Sequence, residues 1–287
     1  MSSPWSSSAP QSSVEYVDET STAEAARQWT DSYKSLSLWI SAVYVILIYS
    51  GQKWMHTRPR FQLQTSLFCW SFVLALFSIF GAFFTVPELY NGIVHHGWTY
   101  SLCDTSFYFG STGFWAFAFV MSKVFELGDT AFIIFRGQPL IFLHYYHHFT
   151  VLIYSVYSYS EHVSSARWYI VMNYCVHSVM YSYYAVRAAH IWVPSFMRMT
   201  ITTMQMVQMI IGLIVSISVF VIKLDGTDCH QSYYNAGGAV LMYGSYLVLF
   251  ANFFYQQYVV LPKKKSSRSS PGNKLSDFSE GHEKKLH

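Results

Sequence analysis

Charge is scarce in this sequence. Of 287 residues, 18 are Lys or Arg and 15 are Asp or Glu, so charged side chains make up 11%, where a soluble globular domain carries about 25%. Hydrophobic residues make up 52% and aromatics 19%. That balance cannot coat a water-soluble globule of this size, which excludes a soluble enzyme and leaves no basis for nucleic acid as a partner. Cysteine is sparse as well. Four cysteines with no CxxC or zinc-ribbon spacing exclude a disulfide scaffold and offer no structural metal site. The N-terminal residues lack an apolar run behind a basic start, so no cleaved signal peptide is expected, and residues 1–33 read as a disordered tail.

Long apolar runs are what the sequence does have. They lie near 34–55, 64–86, 112–135, 139–159, 166–189, 197–222 and 236–260, each about the 20 residues needed to span lipid as a helix. The expected fold is therefore an all-α polytopic membrane protein with seven transmembrane helices over residues 34–262, followed by a basic tail, 263–287. Arg136, Gly137, Gln138 and Pro139 make a tight connection between the third and fourth spans. Orientation follows from the basic residues. Arg27, Lys34, Arg167 and Lys223 fall on one side, Lys123 lies inside a span, and all the others fall opposite, with the tail. The C-terminus is thus expected in the cytosol and the N-terminus in a lumen. Cys103 and Cys229 both fall in lumenal loops, where oxidation would let them pair; two free thiols is the other reading. The Lys284-Lys285 end resembles a dilysine retrieval signal, which implies the endoplasmic reticulum membrane.

Ionisable groups inside a bilayer cost several kcal/mol, so each marks a candidate site. The third span carries Lys123, Glu126, Asp129 and Thr130, with Lys123, Glu126 and Thr130 within about 60° of helical arc. They make either a self-neutralising packing network or a set that orients an active site. The fourth span opens on His144, His147 and His148, an i, i+3, i+4 set on one face. The fifth holds Asn173, His177, Met180, Tyr181 and Tyr184; the sixth holds Thr202, Gln205 and Gln208; the seventh holds Asn252, Tyr255 and Tyr258. On the expected topology these groups occupy the cytosolic half and the middle of the bundle. Beyond His147 the fourth span continues through Phe, Leu, Ile, Val and Tyr for roughly 18 Å toward the lumen. A polar centre with an apolar chamber behind it suits a substrate with a polar head and an acyl tail.

These motifs in order, KxxExxDT at Lys123, HxxHH at His144, then Asn173, His177 and the tyrosines after it, Gln205 and Gln208, and Asn252 to Tyr255, resemble the very-long-chain fatty acid elongases. The resemblance implies six helices as a barrel around an acyl tunnel with the first helix outside. It implies condensation of acyl-CoA with malonyl-CoA to 3-oxoacyl-CoA, CoA and carbon dioxide, with no cofactor. In that chemistry His147 attacks the thioester, His177 with Asn173 stabilises the malonyl-derived enolate, and His144 and His148 orient His147 by hydrogen bonds alongside Glu126 and Asp129. Lys123 and the cytosolic basic residues would meet CoA phosphates, or Lys123 only neutralises its carboxylates. Gln205, Gln208, Tyr181 and Tyr184 support the site. Partners implied are membrane lipid and the ketoreductase, dehydratase and enoyl reductase of the same cycle, and a homodimer is compatible. The wording of the boxes, with Pro139 where the polyunsaturated branch has Gln, looks like the saturated and monounsaturated branch, and the chamber depth suggests a chain of about C16.

Two other readings compete. HxxHH boxes also serve histidine-ligated iron desaturases and hydroxylases, but His144, His147, His148 and His177 are too few for such a cluster. A seven-helix receptor or transporter would want longer cytosolic connections than these.

Overall fold

The computed structural model describes residues 13–260, with side chains from residue 20 onward. The basic tail and its Lys284-Lys285 end lie outside the described residues, as do residues 1–12 of the expected N-terminal tail. Among the described residues there is no strand. The helices are α1 (Ser13–Met55), α2 (Gln64–Asn91), α3 (Trp98–Cys103), α4 (Gly110–Glu126), α5 (Gly128–Phe135), α6 (Phe142–Ser160), α7 (Ala166–Ala188), α8 (Phe196–Leu224) and α9 (Tyr233–Tyr255).

Among the described residues, four segments are long and apolar enough to cross a membrane: Thr20–Met55, Gln64–His96, Phe196–Leu224 and Tyr233–Val260. The runs expected at 112–135, 139–159 and 166–189 are helical too, but their composition is diluted. Lys123, Glu126 and Asp129 sit on α4 and α5, three histidines on α6, and Arg167, Asn173, His177 and Arg187 on α7. The 112–135 run is also divided into α4, of 17 residues, and α5, of 8 residues.

Residues 13–33, expected as disordered tail, are part of α1. Local pairing explains the extension. Arg27 bonds Glu24 (2.6 Å), Gln28 Nε2 donates to Glu24 Oε1 (2.9 Å), and Lys34 pairs with Asp31 (2.7 Å), contacts at helical spacing that each add a few tenths of a kcal/mol. Arg27 Nη1 also reaches the Ser160 carbonyl at 3.3 Å, tying this turn to the end of α6.

Packing neighbours close a ring. α2 lies along α7, α7 on α8, α8 on α9, α9 on α6, α6 on α4, and α4 on α2, while α1 lies against α4, α5 and α6. The α2–α7 approach is close because Gly81 has no side chain: a Cβ there would stand 2.4 Å from the Tyr174 ring.

One end of the bundle is covalently and ionically pinned. Cys103 and Cys229 are joined by a disulfide. Arg167, 1% exposed, bonds Glu88 (3.0 Å) and Asp104 (3.2 Å). In the turn between α6 and α7, His162 takes a left-handed φ of 51° and stacks on Tyr108 at 4.1 Å. The other end carries Arg136, Arg187 and His190 around an opening.

Candidate active site

The site begins with a break in a helix. α4 stops at Glu126 and α5 starts at Gly128, with Leu127 between them. Trp70 of α2 presses on Gly128 so closely that a Cβ there would stand 2.7 Å from its ring. That approach brings Trp70 Nε1 within 2.6 Å of Asp129 Oδ1, while the Tyr181 hydroxyl donates to Asp129 Oδ2 at 2.7 Å. Both carboxylate oxygens of Asp129 are thus satisfied by neutral donors, and Lys123 is not one of them.

Lys123 is spent elsewhere. Its Nζ donates to Glu126 Oε1 and to Asn173 Oδ1, each at 2.8 Å, and sits 4.0 Å from the Phe119 ring centroid. It is 2% exposed, does not line the large cavity, and faces the Glu126 carboxylate with its charge. Ser122 also donates to Glu126 Oε1, at 2.9 Å.

That lysine fixes an amide. Lys donates only, so Asn173 must turn its oxygen to Lys123 and its nitrogen to His177. Asn173 Nδ2 lies 3.1 Å from His177 Nε2, which therefore accepts, leaving the His177 proton on Nδ1. Glu126 Oε1 is 3.9 Å from that Nδ1, too far for a hydrogen bond. A chain of single-valued contacts, Glu126 to Lys123 to Asn173 to His177, thereby selects one tautomer.

The three histidines of α6 differ in their surroundings. His144 Nε2 is 2.9 Å from Thr130 Oγ1. The His148 ring lies tilted against the His144 ring at 4.4 Å, and its Nδ1 is buried with no hydrogen-bond partner among the described residues. His147 packs between the His148 ring (5.6 Å, perpendicular) and the Tyr246 ring (4.9 Å). Among the described residues the three make no hydrogen bond to one another. The expected orientation of His147 is by hydrogen bonds; here its ring contacts are edge-on to His148 and tilted to Tyr246, with His144 and His148, one turn apart, tilted against each other.

Two cavities meet at His147. The larger, of about 740 Å³, is lined by His144, His147, His148, Asn173, His177 and Asp129, with Tyr181, Tyr184, Gln205 and Gln208, and opens past Gln64, Arg136, Arg187 and His190. The smaller, of about 50 Å³, follows one face of α6 through His147, Val151, Tyr154, Ser155 and Ser158, and stops at Tyr108 and Tyr159 near the disulfide end. That stripe is about 16 Å long. His147, Asn173, Gln208 and Met209 border both. The chamber has room for a few waters, so a long chain fits only if flexible wall side chains such as Met209 and Met242 give way.

No three His, Cys, Asp or Glu side chains among the described residues are placed to hold a metal ion. His144 and His177 each commit one nitrogen to a protein partner.

Several participants carried no signal in the sequence. Tyr44, Trp70 and Tyr246 come from helices whose facing residues depend on tertiary register. Asn252 and Tyr255, singled out by motif, are exposed, and Phe250 and Phe253 line the cavity in their place.

With this arrangement in view, comparison with known proteins is informative. The ELO family pattern (GNS1/SUR4 family) matches residues 29–267. The chain belongs to the ELO family. Among the relatives of this ELO protein, very long chain fatty acid elongase 6 of Drosophila melanogaster is 49% identical over 249 residues, covering 85% of this chain and 79% of the relative. The human protein of that name is 46% identical over 235 residues, 82% of this chain and 88% of the relative. Human very long chain fatty acid elongase 3 is 40% identical over 245 residues, 85% and 90% of the two chains. For an ELO protein, the residues with the most constrained contacts here are Lys123, Glu126, Asn173 and His177, with His147 the imidazole left open to both cavities.

Proposed function

We propose that this ELO-family protein takes part in very-long-chain fatty acid elongation as its condensing enzyme, joining a long-chain acyl-CoA to malonyl-CoA. The observation that carries this reading is His147 at the junction of a polar cavity and an apolar chamber, with no hydrogen bond holding its ring nitrogens among the described residues. The acyl tail occupies the chamber along α6, the thioester lies at His147, and the CoA moiety extends toward Arg136, Arg187 and His190.

An imidazole nitrogen of His147 attacks the thioester carbonyl and the carbon–sulfur bond breaks. The proton on the other imidazole nitrogen goes to the departing thiolate, leaving CoA and a neutral acyl-imidazole. Malonyl-CoA then loses carbon dioxide, and its enolate carbon takes the acyl group as the carbon–nitrogen bond breaks. The imidazolate recovers a proton from water. On this reading His177, with its proton on Nδ1, and the Asn173 amide stabilise the enolate oxygen. Direct condensation, with imidazole as base and no adduct, uses the same residues.

On this reading the ring α2–α7–α8–α9–α6–α4 is a transmembrane barrel, α1 lies outside it, and the Arg136 end faces the cytosol. The basic tail and its dilysine-like end then fit the endoplasmic reticulum, and a ketoreductase, a dehydratase and an enoyl reductase must complete each cycle. A chamber of about 16 Å takes an extended acyl tail of about 14 carbons, a little shorter than the expected C16.

The test is intact-mass analysis of purified protein with palmitoyl-CoA alone and then with malonyl-CoA. The expected result is an acyl adduct on His147 that disappears as 3-oxoacyl-CoA forms, and its absence in His147→Ala. Product without an adduct would favour direct condensation. Neither adduct nor product across a series of chain lengths would overturn the reading.

A further inference from the structure

Tyr44 has no part in the chemistry above, yet it is wired to it. It lies on α1, 7% exposed, with its hydroxyl 2.6 Å from Thr130 Oγ1. Thr130, on α5 and 2% exposed, is in turn 2.9 Å from His144 Nε2 on α6. Three helices thus share one hydrogen-bonded line that ends at an imidazole bordering the large cavity.

Each hydroxyl has one hydrogen to give and two lone pairs to accept with. If His144 Nε2 carried the proton, it would donate to Thr130, and then either Thr130 donates to Tyr44 or Tyr44 donates to Thr130. In either case one buried hydroxyl hydrogen, that of Tyr44 or that of Thr130, has no acceptor among the described residues, at a cost of about 1–3 kcal/mol. If Tyr44 donates to Thr130 and Thr130 donates to His144 Nε2, both hydroxyl hydrogens are used. That arrangement puts the His144 proton on Nδ1. That nitrogen makes no hydrogen bond among the described residues and, unlike His148 Nδ1, is not sealed from open space. The His148 ring, tilted at 46° with its centroid 4.4 Å away, packs against the His144 ring and limits its turning.

We propose that Tyr44 and Thr130 fix His144 as an Nδ1–H donor to the substrate carbonyl oxygen, which makes Tyr44 a positioning residue and gives α1 a part in the reaction. This rests on the acyl-transfer reading. His144 and His147 are one turn apart on the same helix face. As the His147 nitrogen bonds to the carbonyl carbon, the carbonyl π electrons move to oxygen, and a donor already aimed there stabilises the oxyanion with no proton transfer.

The experiment pairs kinetics with a spectroscopic signature. In protein labelled with ¹⁵N-histidine and held in lipid nanodiscs, the His144 resonance is identified by its loss in His144→Gln. The expected wild-type state is protonated Nδ1 with bare Nε2. Tyr44→Phe should give a mixture of tautomers and lower kcat on the order of tenfold or more, with KM for acyl-CoA within about twofold, since one oriented donor to an oxyanion is worth roughly 10²–10³. Thr130→Ser should keep both the tautomer and the rate, and Thr130→Val should match Tyr44→Phe. Wild-type His144 protonated at Nε2, or unchanged kcat in both Tyr44→Phe and Thr130→Val, would overturn the proposal. If Tyr44→Phe does not fold, the wild-type tautomer and the Thr130→Ser against Thr130→Val contrast decide it. A wild-type protein that makes no 3-oxoacyl-CoA would sink the acyl-transfer reading, while the tautomer measurement would still decide the direction of the line.

Discussion

Asn173 uses both ends of its amide, with Oδ1 accepting from Lys123 and Nδ2 donating to His177. Asn173→Asp keeps the first contact and inverts the second, because a carboxylate cannot donate to His177 Nε2. The expected outcome is a kcat lower by about 10²-fold with little change in KM, measured as 3-oxoacyl-CoA formation, while Asn173→Gln loses both contacts and folds less well. Lys123→Met is a harsher change. It leaves Glu126 as a buried charge with no cation, an error worth roughly 3–5 kcal/mol, and should show as loss of folded protein in size-exclusion chromatography. Adding Glu126→Gln in the same chain should recover folding but not full activity. At this scale the sequence was informative where one helix decides the geometry. His144, His147 and His148 share a face by their spacing alone, and so do Asn173 and His177. It was silent wherever a second helix decides. The placement of Trp70 against Asp129, of Tyr44 against Thr130 and of Tyr246 against His147 depends on how far one helix slides along another, which no local pattern records.

The break between α4 and α5 shows how an element is shaped by a neighbour. Residues 112–135 read as one apolar run, and no Pro marks an interruption. The interruption is at Leu127, where Gly128 lets the Trp70 ring come close enough for its Nε1 to reach Asp129. Gly128→Ala should push that ring away, cost about 1–3 kcal/mol through overpacking and loosen Asp129. A lower melting temperature, and a weaker effect of the same change in a Trp70→Phe background, would bear this out. A melting temperature equal to wild type in Gly128→Ala would refute the close approach as a constraint. The helices themselves were legible from apolar runs because lipid-facing and core-facing residues are both apolar. Their ends were less so: α1 runs on ahead of the expected span through Glu24, Arg27, Gln28, Asp31 and Lys34, which pair along it, although the composition of that stretch resembles a tail.

For the whole molecule, the pinned end governs stability. His162 packs against Tyr108 and Tyr159, with Arg27 and Glu24 from α1 and His230 from the connection before α9 around it, and burial lowers its pKa to about 4. The unfolded chain, with an ordinary histidine pKa of about 6.5, therefore binds more protons between those values. His162 favours the fold fully above about pH 6.5, and that contribution is lost as pH falls toward 4. Melting temperatures from pH 7.5 to 4.5 should fall less steeply in His162→Gln than in wild type; parallel curves would count against a buried neutral imidazole. Reducing the Cys103–Cys229 bond should lower stability by less than the roughly 2–4 kcal/mol seen in soluble proteins, since chains held in lipid are already constrained, and thermal unfolding with and without reductant measures it.

The same bond has a topological consequence. It turns residues 103–229, a separation of 126 positions, into a closed loop of chain, and that loop contains every residue from Lys123 to Gln208. A protease cut in the connection after Ala188 opens the loop without dividing the molecule. On a non-reducing gel the nicked protein should run as a single species, and with reductant as two. Cut there, helices α6 and α7 would stay tethered to α8 and α9, as two arms of one molecule.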